Sequence, residues 1–318
     1  MAVSQKQIAE RLGVSIALVS RVLSGKAREV GIADATVERV MKVAEEMGYV
    51  PSAAALTLKG KASRTIGVVV YDFRDPFFGA IIEQLQAQAH EQDYSLVLAG
   101  FKGRHPESSD LAPLHKHAID GLVVIGSADR SEWLAGFGKM PVARIGHCGA
   151  GEEASLRIGI DEEDAALQLL EHLWAKGCRH CAFIGSNLFS HSLRYQSLEK
   201  VAESLGMGVE NHVWTSDGFE AGLQATRNVL SGNAGELALV CATDVIAMGA
   251  LHALHNAGAS LAVTGFDDIP AAAQFIPPIT TMRQPIREMA KRAFDAVVAP
   301  SEAGEVLLKG KLVVRSSS

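Results

Sequence analysis

The sequence contains no run of about 18 apolar residues, which is the length that a membrane-spanning helix needs. Its opening residues, Met1 to Gln7, also lack the basic and then apolar segments of a secretory signal peptide. From these two absences we expect a soluble protein of the cytoplasm. Apolar residues make up 48% of the chain, which is ample for a buried core, and the length of 318 residues suggests about two domains.

Cysteine is scarce, and the four that occur (Cys148, Cys178, Cys181 and Cys241) are too scattered to form a disulfide framework. Cys178 and Cys181 have the spacing of a redox or zinc site, but no second pair accompanies them. They lie where a predicted helix ends at Gly177 and an apolar run begins. We therefore interpret Cys181 as the first inward-facing residue of a strand.

Sequence patterns typical of enzymes and metal sites are missing too. There is no Walker-type phosphate loop and no Gly-x-Ser-x-Gly nucleophile turn. Asp267 and Asp268 form a carboxylate pair, but nothing near them in sequence supplies a nucleophile or a metal ligand. His252 and His255 share one face of a predicted helix without a third ligand at a suitable spacing. We therefore expect no catalytic residues, no bound metal and no cofactor.

Charge is unevenly distributed along the chain, whose net charge is −6. Residues 1–64 hold 10 Lys and Arg against 6 Asp and Glu, whereas the remainder holds 20 against 30. A basic N-terminal part on an acidic body suits a small module that binds a polyanion such as nucleic acid. Ordinary variation in surface composition gives the same imbalance, so charge alone does not decide between the two interpretations.

The N-terminal region is predicted to be all-α. A first helix spans Gln7 to Leu12 and is broken by Gly13, and Ser15 is placed to cap a second helix from Ile16 to Leu23. A third helix is predicted from Thr36 to Met47. The first two helices and their glycine turn have the spacing of a DNA-binding helix-turn-helix, although a generic helical hairpin has it as well.

From residue 65 onwards, apolar runs of strand length alternate with amphipathic helices. Near-continuous apolar strands between helices indicate parallel sheets that are covered on both faces. The elements are too many for one sheet, so we expect two α/β lobes, with a ligand in the cleft at the carboxyl ends of the strands. The strands are predicted at residues 66–71, 95–99, 121–125, 181–184, 237–241 and 261–266, and the helices at residues 77–92, 107–118, 162–176, 192–205 and 244–257.

Motifs along essentially the whole chain occur in the order and spacing of a known family. The sequence resembles the LacI/GalR family of transcriptional regulators, which is also called the lactose and galactose repressor family. Each motif is weak by itself, and their order makes the resemblance specific. The motifs are Leu12-Gly13-Val14-Ser15, Val19-Ser20-Arg21-Val22-Leu23-Ser24-Gly25, Thr36-Val37-Glu38-Arg39-Val40, Gly48-Tyr49-Val50-Pro51-Ser52, Asp75-Pro76-Phe77-Phe78, Asp120-Gly121-Leu122, Gly265-Phe266-Asp267-Asp268, Pro278-Ile279-Thr280-Thr281 and Leu312-Val313-Val314-Arg315.

The resemblance implies a helix-turn-helix headpiece, a hinge and a two-lobed core with Rossmann-like lobes that resembles periplasmic binding proteins. The headpiece would span residues 1–50, the hinge helix and linker residues 51–62, and the effector-binding and dimerisation core residues 63–318. Within the core, the N-lobe would comprise about residues 63–159 and 286–310, and the C-lobe about residues 160–285 and 311–318.

For DNA, the resemblance implies that the second helix enters the major groove. Ile16 and Ala17 would occupy the two main specificity positions, where relatives often carry a polar pair, and Arg21 would contact a base or a phosphate. Four serines would anchor backbone phosphates, which position the protein without specifying sequence. These are Ser4, Ser15, Ser20 and Ser24.

The hinge segment would order into a helix on the operator, and Leu58 would wedge into a central base step of the minor groove. The alternative is that Leu58 is a linker residue packed on the core. The stretch 26–32 is a few residues longer than is usual in the family. We interpret it as a solvated loop, and additional phosphate contacts through Lys26 and Arg28 are the alternative.

For the effector, the resemblance implies a ligand held between the lobes. Arg194 would clamp ligand hydroxyls or a carboxylate by forked hydrogen bonds, and an interlobe salt bridge is its alternative. Phe219 would stack on the ligand, and Asp244 and Asp267 would accept hydrogen bonds from hydroxyls. Three more candidates follow the first strand, namely Asp72, Phe73 and Arg74, although Arg74 also fits a local surface pair.

Three departures from the family pattern obscure the identity of the effector. Gly146-His147 stands where many relatives carry an aspartate and a basic residue, Thr243-Asp244 replaces an Asn-Asp pair, and Ser197-Leu198 replaces a glycine and an aromatic residue. The loss of an acceptor at Gly146 weakens any inference to a particular hexose. A sugar or a sugar-derived metabolite remains the family-level expectation.

These features together predict a transcriptional repressor that binds a near-palindromic operator as a homodimer and is controlled by a small molecule. No leucine-heptad tail follows the last motif, so we expect a dimer rather than a tethered tetramer. A solute-binding module without DNA activity is the main alternative. Whether the effector releases or promotes DNA binding stays open.

Overall fold

The computed structural model describes residues 3–49, 62–101, 107–126, 132–147, 156–215, 218–231, 237–300 and 303–318. The chain divides into two compact units, one up to Ser63 and the other from Arg64 onwards. The predicted hinge segment, including Leu58, lies outside the described residues apart from residue 62. No helix in the described ranges is long and apolar enough to cross a membrane.

The described part of the N-terminal unit contains three α-helices, α1 (Gln5–Leu12), α2 (Ile16–Leu23) and α3 (Asp34–Glu46). Their inward faces pack around Ile8, Val19 and Val40, which are almost completely buried. This packing holds α1 and α2 in the arrangement that the sequence predicts for a helix-turn-helix.

Local hydrogen bonds set the ends of these helices. Ser4 caps α1 by accepting a hydrogen bond from the Gln7 amide, and the Gln7 side chain bonds back to the Ser4 amide, so α1 begins two residues before its predicted start. Gly13 ends α1 at φ +66°, a left-handed conformation that favours glycine. Ser15 caps α2 through the amide of Leu18.

The segment between α2 and α3 is more ordered than a solvated loop. Residues Arg28–Val30 form a 3-10 turn, and Ala27 is buried in the core of the headpiece. Lys26 and Arg28 are exposed at its surface. The interpretation of 26–32 as only a solvated loop is therefore wrong for Ala27, which anchors the segment by burying its methyl group.

The first sheet of the core has six strands, and every neighbouring pair in it is parallel. Together with the helices packed on it, this sheet forms what we call the first lobe. Strands β1 and β3 are buried along their whole length, which fits a sheet covered on both faces. In spatial order the strands are β11 (Gly304–Leu308), β5 (Leu156–Ile160), β4 (Val142–Ile145), β3 (Gly121–Ile125), β1 (Thr65–Val70) and β2 (Ser95–Gly100).

The second sheet also has six strands, of which only β12 runs antiparallel to its neighbour. This sheet and its helices form the second lobe. In spatial order the strands are β12 (Lys311–Val313), β10 (Thr280–Arg283), β9 (Val263–Asp267), β8 (Leu237–Cys241), β6 (His180–Ser186) and β7 (Gly208–Thr215). The all-α headpiece and the two-lobed α/β core confirm the predicted fold class.

Helices flank both sheets of the core. In the first lobe they are α4 (Pro76–Glu91), α5 (Ser108–Lys116) and α11 (Ile286–Val298). In the second lobe they are α6 (Glu162–Ala175), α7 (Phe189–Leu205), α8 (Phe219–Ser231), α9 (Asp244–Ala257) and the short α10 (Pro270–Gln274). The chain passes between the sheets three times, after β5, after β10 and after β11. These passages bring the carboxyl ends of several strands from both sheets towards one cleft.

Helices α8 and α9 cross at very small separation because glycine lies at the crossing on each of them. A Cβ atom added at Gly249 would lie 2.0 Å from the Phe219 carbonyl oxygen, and one added at Gly222 would lie 2.1 Å from the Ile246 carbonyl oxygen. Both obstacles are backbone atoms, which cannot rotate away as a flexible side chain would.

We expect Gly249→Ala to destabilise the core, because α8 and α9 must separate to admit the methyl group. The free energy of unfolding should fall by about 1–3 kcal/mol, the usual cost of overpacking. Gly79→Ala is the matched control, since Gly79 lies in α4 with open space around its Cβ direction. Its helix propensity should raise stability by up to about 1 kcal/mol. Urea unfolding measures the free energy of unfolding of both variants. Equal changes in the two variants would contradict this account of the crossing.

Candidate functional site

The second helix of the headpiece presents an exposed face of mixed chemistry. Val19 and Val22 are buried, whereas Ile16, Ala17 and Arg21 are exposed. Ile16 keeps 49% of its surface accessible although its side chain is large and apolar. Exposed apolar residues at the start of a helix whose last turn carries an exposed arginine are well placed to contact a partner surface.

The four serines predicted to anchor phosphates are exposed or half-buried, and three of them also shape the helix ends. Ser4 and Ser15 cap α1 and α2, and the Ser24 hydroxyl donates to the Arg21 carbonyl oxygen. Ser20 is half-buried on α2. The helix N-terminus next to Ser15 carries unpaired backbone N–H groups and the positive end of the helix dipole, which favour an anion.

A cavity of about 390 Å³ lies between the two lobes of the core. Residues that follow the carboxyl ends of strands from both sheets line it, in agreement with the predicted position of a ligand. Apolar and aromatic side chains provide part of the wall, and they include Phe77, Phe78, Ile145, Leu188 and Met289. The polar part of the wall is concentrated in a few buried, hydrogen-bonded groups.

The largest of these groups is a buried ion pair between Glu162, the first residue of α6, and Arg194 on α7. Arg194 Nε donates to Glu162 Oε2 and Nη2 donates to Oε1, each at 2.9 Å. The Arg194 Nη1 atom donates to the Ala242 carbonyl oxygen, and the guanidinium lies 3.3 Å over the centre of the Phe266 ring. The fork of Arg194 therefore clamps a carboxylate of the protein itself in this structure, and its contact with a ligand stays a prediction.

His147, which follows β4 of the first lobe, approaches the same carboxylate from the other side of the cleft. Its Nε2 atom lies 3.5 Å from Glu162 Oε1, which is long for a hydrogen bond but within the range of an ion pair. The ring lies against Gly159, where an added Cβ would come within 2.6 Å of it. The glycine therefore allows His147 to reach towards Glu162.

Glu162 stays ionised despite its burial. Burial raises the pKa of a carboxyl group, but the Arg194 guanidinium and then the His147 ring outweigh this effect and hold the pKa of Glu162 below its usual range. An intact pair of this kind is tolerated inside a protein, whereas removal of one partner leaves a costly unpaired charge.

Asp267 forms the second polar group, at the carboxyl end of β9. Its backbone has φ +110°, an uncommon conformation for a non-glycine residue, which turns the side chain at the cavity wall. The Gln284 side chain donates to Asp267 Oδ1 at 2.7 Å. Burial, and then the nearby charges of Asp75 and Asp244, raise the pKa of Asp267 well above its ordinary value.

His191 forms the third group, one helical turn before Arg194 on α7. Its Nδ1 atom accepts a hydrogen bond from the Ser186 amide at 3.1 Å, which places the proton on Nε2. Burial and then the charge of Arg194 lower the pKa of His191 to about 3. The ring is therefore neutral at physiological pH and lines the cavity with a donor and no charge.

The rim of the cavity carries an ion pair between Asp72 and Arg74. Arg74 Nη2 lies 2.6 Å from Asp72 Oδ2, and the hydrogen bonds from Arg74 lower the pKa of Asp72 against the effect of burial. The Arg74 side chain is largely exposed, so this pair is screened by solvent. Both residues line the cavity, as predicted, and Arg74 also forms the local pair that was its alternative.

Three predicted effector contacts do not line the cavity. Asp244 is completely buried inside the second lobe, where its Oδ2 atom accepts a hydrogen bond from the Ile269 amide. Phe219 begins α8 and lies beside His252, with ring centres 5.6 Å apart. Phe73 is half exposed and its ring covers Gly100. Other parts of the fold hold these three side chains in this structure, and their contact with a ligand stays a prediction.

Sequence reasoning also missed most of the cavity's buried polar groups. The sequence patterns do not distinguish Glu162, His191 or Gln284 from ordinary residues. They mark His147 only as a departure from the family pattern. The one available signal was Glu162-Glu163-Asp164 at a helix start, which looks like an ordinary acidic first turn.

Comparisons with known proteins recognise two kinds of domain in this chain. Residues 5–52 match the family described as bacterial regulatory proteins, lacI family, and residues 170–318 match the periplasmic binding protein-like domain. The HTH-type transcriptional regulator RegA of Clostridium saccharobutylicum is 28% identical over the whole of both chains. The HTH-type transcriptional repressor PurR of Vibrio vulnificus is 29% identical over 92% of this chain and 90% of that protein.

Solved structures show the same fold at lower identity. A lac repressor dimer bound to operator and the anti-inducer ONPF has a TM-score of 0.84 at 24% identity and covers 100% of this chain and 99% of that one. A transcriptional regulator CelR–cellobiose complex has a TM-score of 0.70 at 24% identity, covering 99% of this chain and 100% of that one. The headpiece thus matches the lacI family of bacterial regulatory proteins, the core matches a periplasmic binding protein-like domain, and the relatives along nearly the whole chain are DNA-binding transcriptional regulators and repressors.

Proposed function

We propose that the protein represses transcription by binding a near-palindromic operator as a homodimer, and that a small-molecule effector in the inter-lobe cavity controls this binding. The observation that carries the proposal is that one chain combines an exposed recognition face on α2 with a polar cavity between two lobes. A two-fold symmetric dimer would place two copies of α2 on two half-sites of the DNA. The cytoplasm is the expected compartment for such a regulator.

On the DNA side, Ile16 and Ala17 would read base edges in the major groove. Their exposed side chains are apolar, so the thymine methyl group is the feature of a base edge that they suit best. Arg21 would contact a base or a phosphate one helical turn further on. The serines at positions 4, 15, 20 and 24 would position the backbone of the duplex.

The hinge is proposed from the sequence, since it lies outside the described residues. Residues 51–62 would form a helix on the operator, with Leu58 in the minor groove between the half-sites. We keep residues 1–50 as the DNA-binding domain and residues 63–318 as the effector-binding and dimerisation core. Effector binding would change the closure of the lobes and so favour or disfavour the ordered hinge.

On the effector side, Arg194, Asp267, Asp72 and Arg74 would contact the ligand, with His191 as a further neutral donor. A few directed polar groups among apolar and aromatic side chains suit a sugar or a sugar-derived metabolite. The regulator of the same fold that was solved with cellobiose supports this class. For control, the effector must bind one state of the protein more tightly than the other.

The first test is selection of bound sequences from a random duplex pool by the purified full-length protein. We expect enrichment of a near-palindrome with two half-sites around a central step, and an affinity that falls steeply with salt because phosphate contacts release counterions. If nothing is enriched, the selection is repeated with pools of small metabolites in case a co-repressor is required. Failure in both conditions would overturn the proposed repressor function.

A second test assigns the readout to α2. Ile16→Ala should relax base preference at one position of each half-site, with a loss of roughly 1 kcal/mol against the preferred base. Met41→Ala is the matched control, because Met41 is an equally exposed apolar residue on α3. Met41→Ala should leave the preference unchanged. The same shift in both variants, or in neither, would argue against Ile16 as a specificity residue.

A further inference from the structure

The buried arginine of the cavity has few hydrogen-bond donors left for a ligand. A guanidinium offers five N–H donors, and Arg194 uses three of them, two on Glu162 and one on the Ala242 carbonyl oxygen. The Phe266 ring covers one face of the group. At most two N–H donors remain, and the bidentate edge that best matches a carboxylate or phosphate is already occupied.

The charge of Arg194 is balanced within the protein as well. Glu162 is buried and ionised beside it, so the pair presents almost no net charge to the cavity. The other guanidinium in the described lining, Arg74, is paired with Asp72 at the exposed rim. Within that lining the carboxyl groups of Asp72, Asp75 and Glu162 outnumber the two guanidinium groups even without Asp267, whose pKa is raised.

An anionic ligand would therefore meet an unfavourable environment. Its charge would lie near the Glu162 carboxylate, where the low dielectric of the buried site strengthens repulsion. A hydroxyl group meets no such penalty, since it both donates and accepts hydrogen bonds. The two remaining N–H donors of Arg194 and the carboxyl oxygen atoms of the wall complement it.

We propose that Glu162 determines the charge class of the effector: by occupying the fork of Arg194, it favours hydroxyl-bearing ligands without an anionic group and excludes phosphorylated or carboxylated ones. This inference rests on the proposed effector function of the cavity and adds a specificity residue to it. The Glu162 carboxylate occupies the edge of Arg194 that an anionic group of a ligand would otherwise bind. Removal of its charge should convert the site into an anion site.

The test measures the binding of inorganic phosphate to full-length variants by calorimetry at constant ionic strength, with sodium chloride as the balancing salt. Glu162→Gln keeps the shape of the side chain and removes its charge. Glu163→Gln is the matched control, because it removes the same charge from the next residue, which pairs with Lys200 at the surface and does not line the cavity. Phosphate binding by the headpiece is common to both variants and cancels in the comparison.

We expect Glu162→Gln to bind phosphate about tenfold more tightly than Glu163→Gln, since the freed guanidinium can pair with the anion. The double variant Glu162→Gln/Arg194→Gln should lose this gain. Equal affinities in Glu162→Gln and Glu163→Gln, or a gain that survives the loss of Arg194, would overturn the proposal. If Glu162→Gln does not fold, Glu162→Ser provides the same comparison with more space for the ion.

The outcome is separable from that of the proposed function. Selection of an operator by the wild-type protein tests repression without reference to Glu162. A protein that selects no operator but gains phosphate binding in Glu162→Gln would refute repression and keep the charge role of Glu162. A protein that selects an operator but gains no phosphate binding in Glu162→Gln would keep repression and refute the charge role of Glu162.

Discussion

The buried ion pair between Glu162 and Arg194 is the interaction on which the rest of the cavity depends. It joins the start of α6 to the middle of α7, and its hydrogen bonds and ring contact extend to Ala242 and Phe266. His147 reaches the same carboxylate from the first lobe. A single charged pair thus fixes one wall of the cavity and touches both sides of the cleft. Buried charges require such partners, and this requirement accounts for the convergence of so many elements here.

The topology explains why the pair lies at a regulatory position. The chain passes three times between the two sheets, and the last residue of β9 and the residues after β1, β3, β4, β5, β6, β8 and β10 all line the cavity. A ligand held there contacts both lobes, so its affinity depends on their closure. This dependence is the physical requirement for coupling between a ligand and a change of state.

Much of the fold could be predicted from the sequence because its signals are local and repeated. Strands β3 and β8 and helix α9 were predicted with the bounds that the structure has. Six strands, β4, β5, β7, β10, β11 and β12, were not predicted. The last two lie at the sheet edges, where all their residues except Leu308 are exposed or half-buried. Their apolar signal is correspondingly weak, and only their neighbours in space define them.

The site was less predictable because it depends on which way side chains turn. Arg194 and Asp267 were found at the cavity, but the partner of Arg194 was not, since Glu162 looks like one of three equivalent acidic residues. Only the packing of α6 on α7 shows that Glu162 faces inward and that Glu163 faces the surface. The positions of Asp244 and Phe219 outside the cavity depend on the direction of their side chains in the same way. Asp244 turns into the second lobe at the start of α9, and the close crossing of α8 on Gly249 directs Phe219 towards His252.

The most direct measurement of the central claim is a double-mutant cycle on the stability of the core, with Arg194→Met, Glu162→Gln and both together in urea unfolding. If the pair organises the cavity, Arg194→Met should cost about 3–5 kcal/mol, because it leaves the Glu162 charge buried without its partner. The double variant should then be more stable than Arg194→Met alone. Additive effects of the two substitutions would contradict the claim, because they would show that the two side chains stabilise the core independently.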